Sequence, residues 1–277
     1  MNYRHAFHAG NFADLVKHAA LTRVLATLMA EPSPLTVVDT HAGAGLYDLT
    51  DPAQVRSREA EQGVARLMAA QTPPVFDALV AAVKARNPKG GVKVYPGSPA
   101  LILDALRPQD RYVACELRED VHADLAEVVA AARKPAEARA ADGYEQAAKV
   151  ARQTRGRMFL LIDPPFERAD DYVRVVEAVH DVLRARPEAV VAIWLPLKDL
   201  ETFDAFVRRL EAIEPPKTLL AEVRLRPLVD PMKMNGCVMA VVNPPAGAAA
   251  DLQAIGDFVV EALGERGGKA KLWSVGG

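Results

Sequence analysis

The feature that most constrains the fold is an alternation between short apolar, β-branched runs and longer segments with helical periodicity, which continues along most of the chain. Residues 11–29 repeat their apolar positions with the spacing of one helical face, and a short run of Leu, Thr and Val follows at residues 35–38. Strands that are joined by helices pair in parallel, and helices cover both faces of their sheet. The sequence therefore predicts an α/β protein with a doubly wound, mostly parallel sheet.

The same periodicity predicts the elements that follow the first helix and strand. Further strands are expected at residues 112–116, 158–162, 190–195, 219–225 and 237–242. Further helices are expected at residues 99–106, 121–133, 170–186, 200–213 and 252–263.

The alternation is interrupted after the first strand. Residues 58–71 and 75–86 both have helical periodicity, and no strand separates them. An Asp-Pro pair stands at the start of this stretch and an Asn-Pro-Lys-Gly-Gly sequence at its end, and both are typical of loops. We therefore expect an inserted helical subdomain at residues 50–92, with the main domain formed by residues 1–49 and 93–277.

The composition argues against several classes of protein. Arg23 interrupts the most apolar part of the N-terminal region, so no stretch reaches the ~18–20 apolar residues of a membrane helix. The N-terminus has no apolar signal core, and Cys115 and Cys237 lie far apart in apolar runs, which favours a cytoplasmic protein with two buried thiols. The net charge of −2 argues against a histone-like binder of polyanions but leaves room for a local basic patch.

Ligands of doubly wound sheets bind beyond the carboxyl ends of the strands, so the residues that follow each strand are the first candidates for a site. The first strand is followed by the loop Asp39-Thr40-His41-Ala42-Gly43-Ala44-Gly45, whose glycines permit close approach of a ligand to the backbone. It is not a dinucleotide-binding fingerprint, because Asp48 stands where the third glycine would be. Taken alone, the loop is equally typical of a plain turn from strand to helix.

Acidic residues follow the next strands. Glu116 ends the second strand, where a carboxylate can accept hydrogen bonds from both hydroxyls of a ribose. The pair Asp142-Gly143 follows a further apolar run. Each of these alone fits an ordinary structure, either a solvated glutamate at a strand end or a turn. Together with Asp39, they form the set expected around an adenosine group at successive strand ends.

The most specific element is the sequence Asp163-Pro164-Pro165-Phe166 at the end of an apolar run. The prolines fix the main chain and remove two donors, so the Asp carboxylate and a proline carbonyl can accept both hydrogens of the exocyclic amine of adenine. The Phe166 ring can stack on the base. The alternative is a structural junction with this ring in the core. A similar sequence, Asn243-Pro244-Pro245-Ala246, lacks an aromatic ring and is interpreted as structural.

These motifs carry a family resemblance. The Asp163-to-Phe166 sequence is similar to the motif of class I S-adenosylmethionine-dependent methyltransferases that act on the N6 amine of adenine. Other segments resemble one family more narrowly, the ribosomal RNA large subunit methyltransferase J group, which modifies one adenine of 23S rRNA. These segments are Tyr3-Arg4-His5-Ala6-Phe7-His8-Ala9-Gly10-Asn11, Asp14, Lys17-His18, Asp39 to Gly45, and Tyr95-Pro96-Gly97-Ser98-Pro99. The match runs in order from Tyr3 to the C-terminal region and includes the helical insertion.

The resemblance implies a class I, Rossmann-like methyltransferase fold, S-adenosyl-L-methionine as cofactor and methyl transfer to adenine N6 of 23S rRNA. The residues that it implies at the cofactor site are His18, His41, Ser98, Glu116, Asp142, Gly143 and Asp163. Asp163 is the implied catalytic residue, and Tyr3 is the implied contact to RNA, with His5 and Lys17 nearby. The family commonly has tyrosine at the position of Phe166. Phenylalanine retains the ring for stacking but lacks the hydroxyl. We expect a monomer that needs no metal.

Other functions remain as alternatives. Four of the six histidines precede the insertion, and a metal site there is conceivable, but no Cys or tight carboxylate cluster accompanies them. The catalytic motif alone also fits an adenine-N6 methyltransferase that acts on DNA. A nucleic-acid-binding protein with a degenerate cofactor site is disfavoured by the intact acidic set, and an NAD-dependent oxidoreductase by the missing third glycine.

Overall fold

The computed structural model of the protein describes residues 8–168, 170–229 and 234–277. Its α-helices are α1 (Phe12–Ala30), α2 (Pro52–Ser57), α3 (Arg66–Ala69), α4 (Asp77–Arg86), α5 (Ser98–Ala105), α6 (Glu119–Ala132), α7 (Gly143–Gln153), α8 (Asp171–Ala185), α9 (Leu200–Glu211) and α10 (Ala248–Leu263). Its strands are β1 (Leu35–Asp39), β2 (Leu46–Asp48), β3 (Val94–Pro96), β4 (Arg111–Cys115), β5 (Ala136–Arg139), β6 (Arg157–Ile162), β7 (Val190–Leu197), β8 (Thr218–Arg224), β9 (Gly236–Val242) and β10 (Lys269–Val275).

The main sheet of the described chain has the strand order β10-β8-β9-β7-β6-β1-β4-β5. Strands β5, β4, β1, β6 and β7 pair in parallel, whereas β9 is antiparallel to both β7 and β8, and β10 is antiparallel to β8. The order in which the chain adds strands reverses between β1 and β6, and a crevice is expected at that point beyond the carboxyl ends of the strands. The predicted doubly wound, mostly parallel sheet is confirmed.

Alternation along the central strands divides the core between the two faces of the sheet. In β6, Phe159 and Leu161 belong to the buried cluster under α1, α5, α6 and α10. Leu160 and Ile162 belong to the cluster under α7, α8 and α9. Because both faces are covered, the central strands are nearly continuous apolar runs. Within the described residues, no helix is both long enough and apolar enough to cross a membrane.

The chain between β2 and β3, which pair as a short antiparallel hairpin, is helical. It consists of α2, a π-helical turn at Glu61–Ala65, α3, a 3-10 turn at Pro74–Phe76 and α4. Val64, Leu67 and Phe76 are buried in the cluster that also contains the apolar residues of α1. The helix expected at residues 58–71 is divided, and Arg58 has a left-handed conformation with φ 57°. The description of this segment as a subdomain stays a prediction.

The structure contains elements that the periodicity does not predict, namely the β2–β3 hairpin, β5, α7 and β10. Strand β5 lies at an edge of the sheet with all its residues only partly buried, so it lacks an apolar pattern. Helix α7 begins directly after Asp142, whose carboxylate caps it, at a pair that is also typical of turns. Strand β10 lies at the other edge, where Lys269 and Lys271 face solvent.

An ion pair fixes the C-terminal end of α1 and the start of β1. The Asp110 carboxylate, in a residue that is 2% exposed, accepts hydrogen bonds from the Leu35 amide (2.9 Å) and the Arg107 guanidinium (2.8 Å). Arg107 also donates to the carbonyl oxygens of Met29 (2.7 Å) and Ser33 (2.9 Å). Burial acts to raise the pKa of Asp110, but the Arg107 and Leu35 donors hold it below its usual value.

We expect Asp110→Ala to lower the free energy of unfolding by about 2–3 kcal/mol, because it breaks this ion pair and leaves the buried Leu35 amide without an acceptor. Asp104→Ala is the matched control, since Asp104 pairs with Arg86 while 50% of its side chain is exposed. Exposed pairs of this kind contribute about 0–1 kcal/mol. Urea unfolding at neutral pH measures both variants, and equal losses would contradict the role given to Asp110.

Candidate functional site

A pocket of about 640 Å³ opens at the carboxyl edge of the sheet, where the strand order reverses. Residues from α1, from the loops after β1, β4 and β6, and from the starts of α5 and α7 line it. The predicted site residues in its wall are Lys17, His18, His41, Ser98, Glu116, Asp142, Gly143 and Asp163. The predictions for Tyr3 and His5 lie outside the described residues, and Phe166 does not line the pocket.

The loop after β1 is tied to the strands on both sides of it. The Thr40 amide donates to a carbonyl oxygen of β6 (3.1 Å), and the Ala42 amide donates to a carbonyl oxygen of β4 (2.9 Å). Gly43 has a left-handed conformation with φ 66°, and its amide donates to Glu116 Oε2 at 3.2 Å. The loop is thereby fixed with its backbone next to the pocket.

Two carboxylates lie beside this loop. Glu116 also accepts a hydrogen bond from the Arg118 amide (2.9 Å), and it remains partly exposed in the pocket wall. Asp142 caps α7 and pairs with Arg174 at 2.7 Å. Burial acts to raise the pKa of Asp142, but Arg174 and the amides of α7 hold it below its usual value. Asp142 is therefore ionised at neutral pH.

Part of the pocket wall is aromatic. The ring centroids of His41 and Tyr144 lie 4.9 Å apart, and the Arg174 guanidinium lies 4.5 Å from the centre of the Tyr144 ring. Burial lowers the pKa of His41 to about 4, so its imidazole is neutral. The Tyr144 hydroxyl is buried and has no hydrogen-bond partner within the described residues. A Cβ on Gly143 would collide with the Thr40 carbonyl oxygen, so α7 approaches the loop as closely as glycine permits.

The pocket also contains a buried row of charges. Lys17 Nζ lies 2.6 Å from Asp163 Oδ2 and 2.8 Å from Asp14 Oδ1, and Lys17 is 4% exposed. Burial acts to lower the pKa of Lys17, but the two carboxylates hold it well above its usual value, so the ammonium stays charged. The resemblance implies that Lys17 lies near the RNA, and the structure places its ammonium inside the pocket between these two acids.

Asp39 ends β1 below the pocket and is fully buried. Its Oδ2 accepts hydrogen bonds from the hydroxyls of Ser98 (2.7 Å) and Tyr112 (3.4 Å). Burial raises the pKa of Asp39 to about 7, although the Ser98 hydroxyl opposes this, and the charge of Asp163 adds to the rise. The sequence groups Asp39 with the acids around a ligand, but in the structure it does not line the pocket and instead holds Ser98, which does.

His18 and Phe166 both make aromatic contacts. His18 is buried, and its Nδ1 lies 2.8 Å from the Tyr95 hydroxyl of β3. The Phe166 ring packs against Tyr172, with 4.6 Å between ring centroids, and lies 6.2 Å from the ring of Trp194. Trp194 lines the pocket. Phe166 therefore reaches the pocket wall through a neighbouring ring, and its stacking on a base stays a prediction.

The sequence analysis gives no site role to several pocket residues, among them Asp14, Tyr144, Arg174 and Trp194. A signal existed for Asp14, because it stands three residues before Lys17 and shares one face of α1 with it. Arg174 and Trp194 have no local signal, since α8 and β7 approach the pocket only in the folded chain. In the part of the chain that the structure describes, no group of three or more His, Cys, Asp or Glu residues could hold a metal ion.

Comparison with known proteins identifies the family of this chain. The family model described as "Ribosomal RNA large subunit methyltransferase D, RlmJ" matches residues 32–275. The chain belongs to this family. The resemblance that the motifs carry is therefore confirmed.

Two named relatives and one solved structure match this chain over most of its length. A protein of Escherichia coli (strain K12) named "Ribosomal RNA large subunit methyltransferase J" is 33% identical over 248 residues, which cover 88% of each chain. A Haemophilus influenzae protein of the same name is 30% identical over 265 residues, 95% of this chain and 94% of that one. The crystal structure of a Legionella pneumophila str. Philadelphia 1 protein matches with a TM-score of 0.87 at 27% identity, covering 96% and 98% of the two chains. That protein and this chain share one fold over nearly their whole length.

We expect Asp39→Asn to change how stability depends on pH. In the folded protein the pKa of Asp39 is raised from 3.8 to about 7, so over this interval the folded chain holds a proton that the unfolded chain has lost. The contribution of Asp39 to the free energy of unfolding is therefore full at low pH and is lost as the pH rises through about 7.

Because Asn cannot ionise, the stability of Asp39→Asn relative to wild type should increase between about pH 4 and about pH 7 in urea unfolding, the interval between the unfolded and folded pKa values of Asp39. Asp204→Asn, which removes an exposed carboxylate of α9, is the control and should give a difference that does not vary with pH. The assignment would be wrong if the Asp39→Asn difference were equally flat.

Proposed function

We propose that this protein transfers a methyl group from S-adenosyl-L-methionine to the N6 amine of an adenine in 23S rRNA. The observation that carries the proposal is the convergence in one pocket of the Asp163-Pro164-Pro165 sequence with the glycine loop and the carboxylates of Glu116 and Asp142. The names of the E. coli and H. influenzae relatives support an rRNA substrate. Because bacterial 23S rRNA is a cytoplasmic molecule, the proposed activity belongs to the cytoplasm.

The described residues fit S-adenosyl-L-methionine as the cofactor. The pocket has the volume of a site for a molecule of this size. The partly exposed Glu116 carboxylate suits the ribose hydroxyls, and the buried Tyr144 hydroxyl, which lacks a partner in the described chain, suits a polar atom of a ligand. We assign cofactor binding to His18, His41, Ser98, Glu116, Asp142, Gly143 and Asp163. When bound, the cofactor supplies a methyl group on a positively charged sulfonium.

Asp163 is the proposed catalytic residue, because its carboxylate can hold the target amine. Lys17 donates to Oδ2, whereas Oδ1 has no hydrogen-bond partner within the described residues. An ionised carboxylate accepts the hydrogens of the amine and stabilises the positive charge that develops on its nitrogen during methyl transfer. Pro164, which also lines the pocket, contributes a carbonyl oxygen without a competing backbone N–H.

We assign the contact with RNA to the N-terminal segment that contains Tyr3 and His5, together with Lys17 and Phe166. His8, which follows this segment in the chain, lines the pocket. An adenine that reaches Asp163 must leave its stack, and aromatic rings commonly support a base in that state. Trp194 lines the pocket and Phe166 packs beside it, so we assign the support of the base to these two rings.

The proposal is tested by supplying the purified protein with S-adenosyl-L-methionine and either a 23S rRNA transcript or a DNA of the same sequence. Nuclease digestion and mass spectrometry then detect N6-methyladenine in each product. Methylation of the RNA alone supports the proposal, and methylation of the DNA alone establishes the alternative substrate. Absence of methylation on both, together with absence of cofactor binding in calorimetry, would reject a methyltransferase.

We expect Asp163→Asn to lower the single-turnover rate at saturating cofactor by at least ~10²-fold, because the amide loses the charge and presents a donor to the amine. Affinity for the cofactor should change far less than the rate. Asp204→Asn, at an exposed position of α9, is the control and should retain the wild-type rate. A wild-type rate in Asp163→Asn would contradict the catalytic role, and Asp163 would then only mark the end of β6.

A further inference from the structure

Glu59 contacts the chain that enters α1, although it does not line the pocket. It lies in the helical segment between β2 and β3. Its Oε1 lies 2.8 Å from His8 Nδ1, and its Oε2 accepts a hydrogen bond from the side-chain amide of Asn11 at 2.9 Å. About a third of each side chain in the His8–Glu59 pair is exposed, at 35% and 32%. One carboxylate therefore holds both ends of the turn formed by residues 8–11.

Backbone contacts join the same two segments. The Val64 amide donates to the Gly10 carbonyl oxygen at 2.8 Å, and a Cβ on Gly63 would collide with that oxygen. Gly63 and Val64 belong to the π-helical turn at Glu61–Ala65, and single π-helical turns frequently occur at functional sites. Gly10 has a left-handed conformation with φ 79°. Backbone contacts, as well as the side chain of Glu59, therefore hold the segment between β2 and β3 against residues 8–11.

Hydrogen bonds continue from this turn to Asp163. The Gly10 amide donates to Asp14 Oδ2 at 2.9 Å, and the Asn11 side chain caps α1 by accepting from the Asp14 amide at 3.0 Å. Asp14 Oδ1 contacts Lys17 at 2.8 Å, and Lys17 contacts Asp163 at 2.6 Å. A displacement of residues 8–11 therefore moves the Asp14 carboxylate and disturbs the ion pair at Asp163.

Protonation of His8 strengthens its contact with Glu59. The hydrogen bond from His8 to Glu59 raises the pKa of His8, although burial opposes this rise. A protonated imidazole makes the bond charge-assisted, which is stronger than a bond between neutral groups. An ordinary surface ion pair gives a carboxylate one partner. Glu59 contacts two side chains of a single turn, those of His8 and Asn11.

We propose that Glu59 is a positioning residue that fixes residues 8–11 at the pocket wall and, through Asp14 and Lys17, sets the place of the Asp163 carboxylate. Glu59 thereby makes the segment between β2 and β3 a support for the proposed reaction, even though Glu59 itself lies outside the pocket lining. The expected effect on the reaction rate depends on the proposed function, whereas the expected effect on residues 8–11 does not.

The test compares Glu59→Ala and Glu59→Gln with Glu61→Ala. Glu61 is the matched control, because it lies two residues away with 62% of its side chain exposed and pairs with Arg58 at the surface. Hydrogen–deuterium exchange of the free protein measures how firmly residues 8–17 are held. Single-turnover methylation of a 23S rRNA fragment at saturating cofactor measures the consequence at Asp163.

Glu59→Ala should accelerate exchange in residues 8–17 and lower the rate roughly tenfold or more, because small displacements of a reacting group are costly. Its thermal midpoint should fall by no more than about 4 °C. Glu59→Gln, whose amide oxygen can still accept from Asn11, should recover most of the exchange protection and of the rate. Glu61→Ala should match wild type.

Unchanged exchange in Glu59→Ala would overturn the proposal, and so would faster exchange with a wild-type rate. Equal effects of Glu59→Ala and Glu61→Ala would also overturn it. If the wild-type protein does not methylate the rRNA fragment, the proposed function fails, while the exchange measurement still decides whether Glu59 holds residues 8–11.

Discussion

The buried ammonium of Lys17 is the constraint on which the pocket depends. Such a charge costs several kcal/mol to bury unless it is paired, and here Asp14 and Asp163 offset that cost from distances of 2.8 and 2.6 Å. The two acids come from α1 and from the end of β6, so the cluster locks the helix to the strand that ends in two prolines. Helix α1 is also held at its C-terminal end through Asp110 and ahead of its N-terminus through Glu59. A shift of α1 would separate Lys17 from Asp163, whereas Asp14, on the same helix, would stay paired with it.

Ionisation within the site follows from the partners of each group rather than from residue type. Lys17 keeps its charge because two carboxylates contact it. Burial lowers the pKa of His41 to about 4, and no acid of the described residues is in hydrogen-bond contact with this imidazole. Asp142 contacts an arginine that holds its pKa below its usual value. Among the described residues, Asp39 has only hydroxyl and amide donors in contact, and burial raises its pKa to about 7. Groups with a hydrogen-bonded partner of opposite charge are therefore ionised, whereas burial suppresses the charge of groups that lack such a partner among the described residues.

The parts of the structure that the sequence predicts are those set by local pattern. Buried parallel strands and the residues just after them are recognisable because strand ends meet at one edge, which is why Glu116, Asp142 and Asp163 converge as expected. The edge strands β5 and β10 are not predicted, since an edge position removes the apolar pattern. The burial of Lys17 and the reach of Glu59 to residues 8–11 depend on contacts between distant segments, and no spacing in the chain indicates them.

Whether Lys17 acts on methyl transfer through Asp163 is tested most directly by a double-mutant cycle of Lys17→Gln, Asp163→Asn and the double variant. The measurement is the single-turnover rate on a 23S rRNA fragment at saturating cofactor, with thermal unfolding to establish that each variant is folded. We predict that Lys17→Gln alone lowers the rate and that the double variant is no slower than the slower single variant, because both changes disturb one carboxylate. A wild-type rate in Lys17→Gln, or losses that multiply in the double variant, would contradict this dependence.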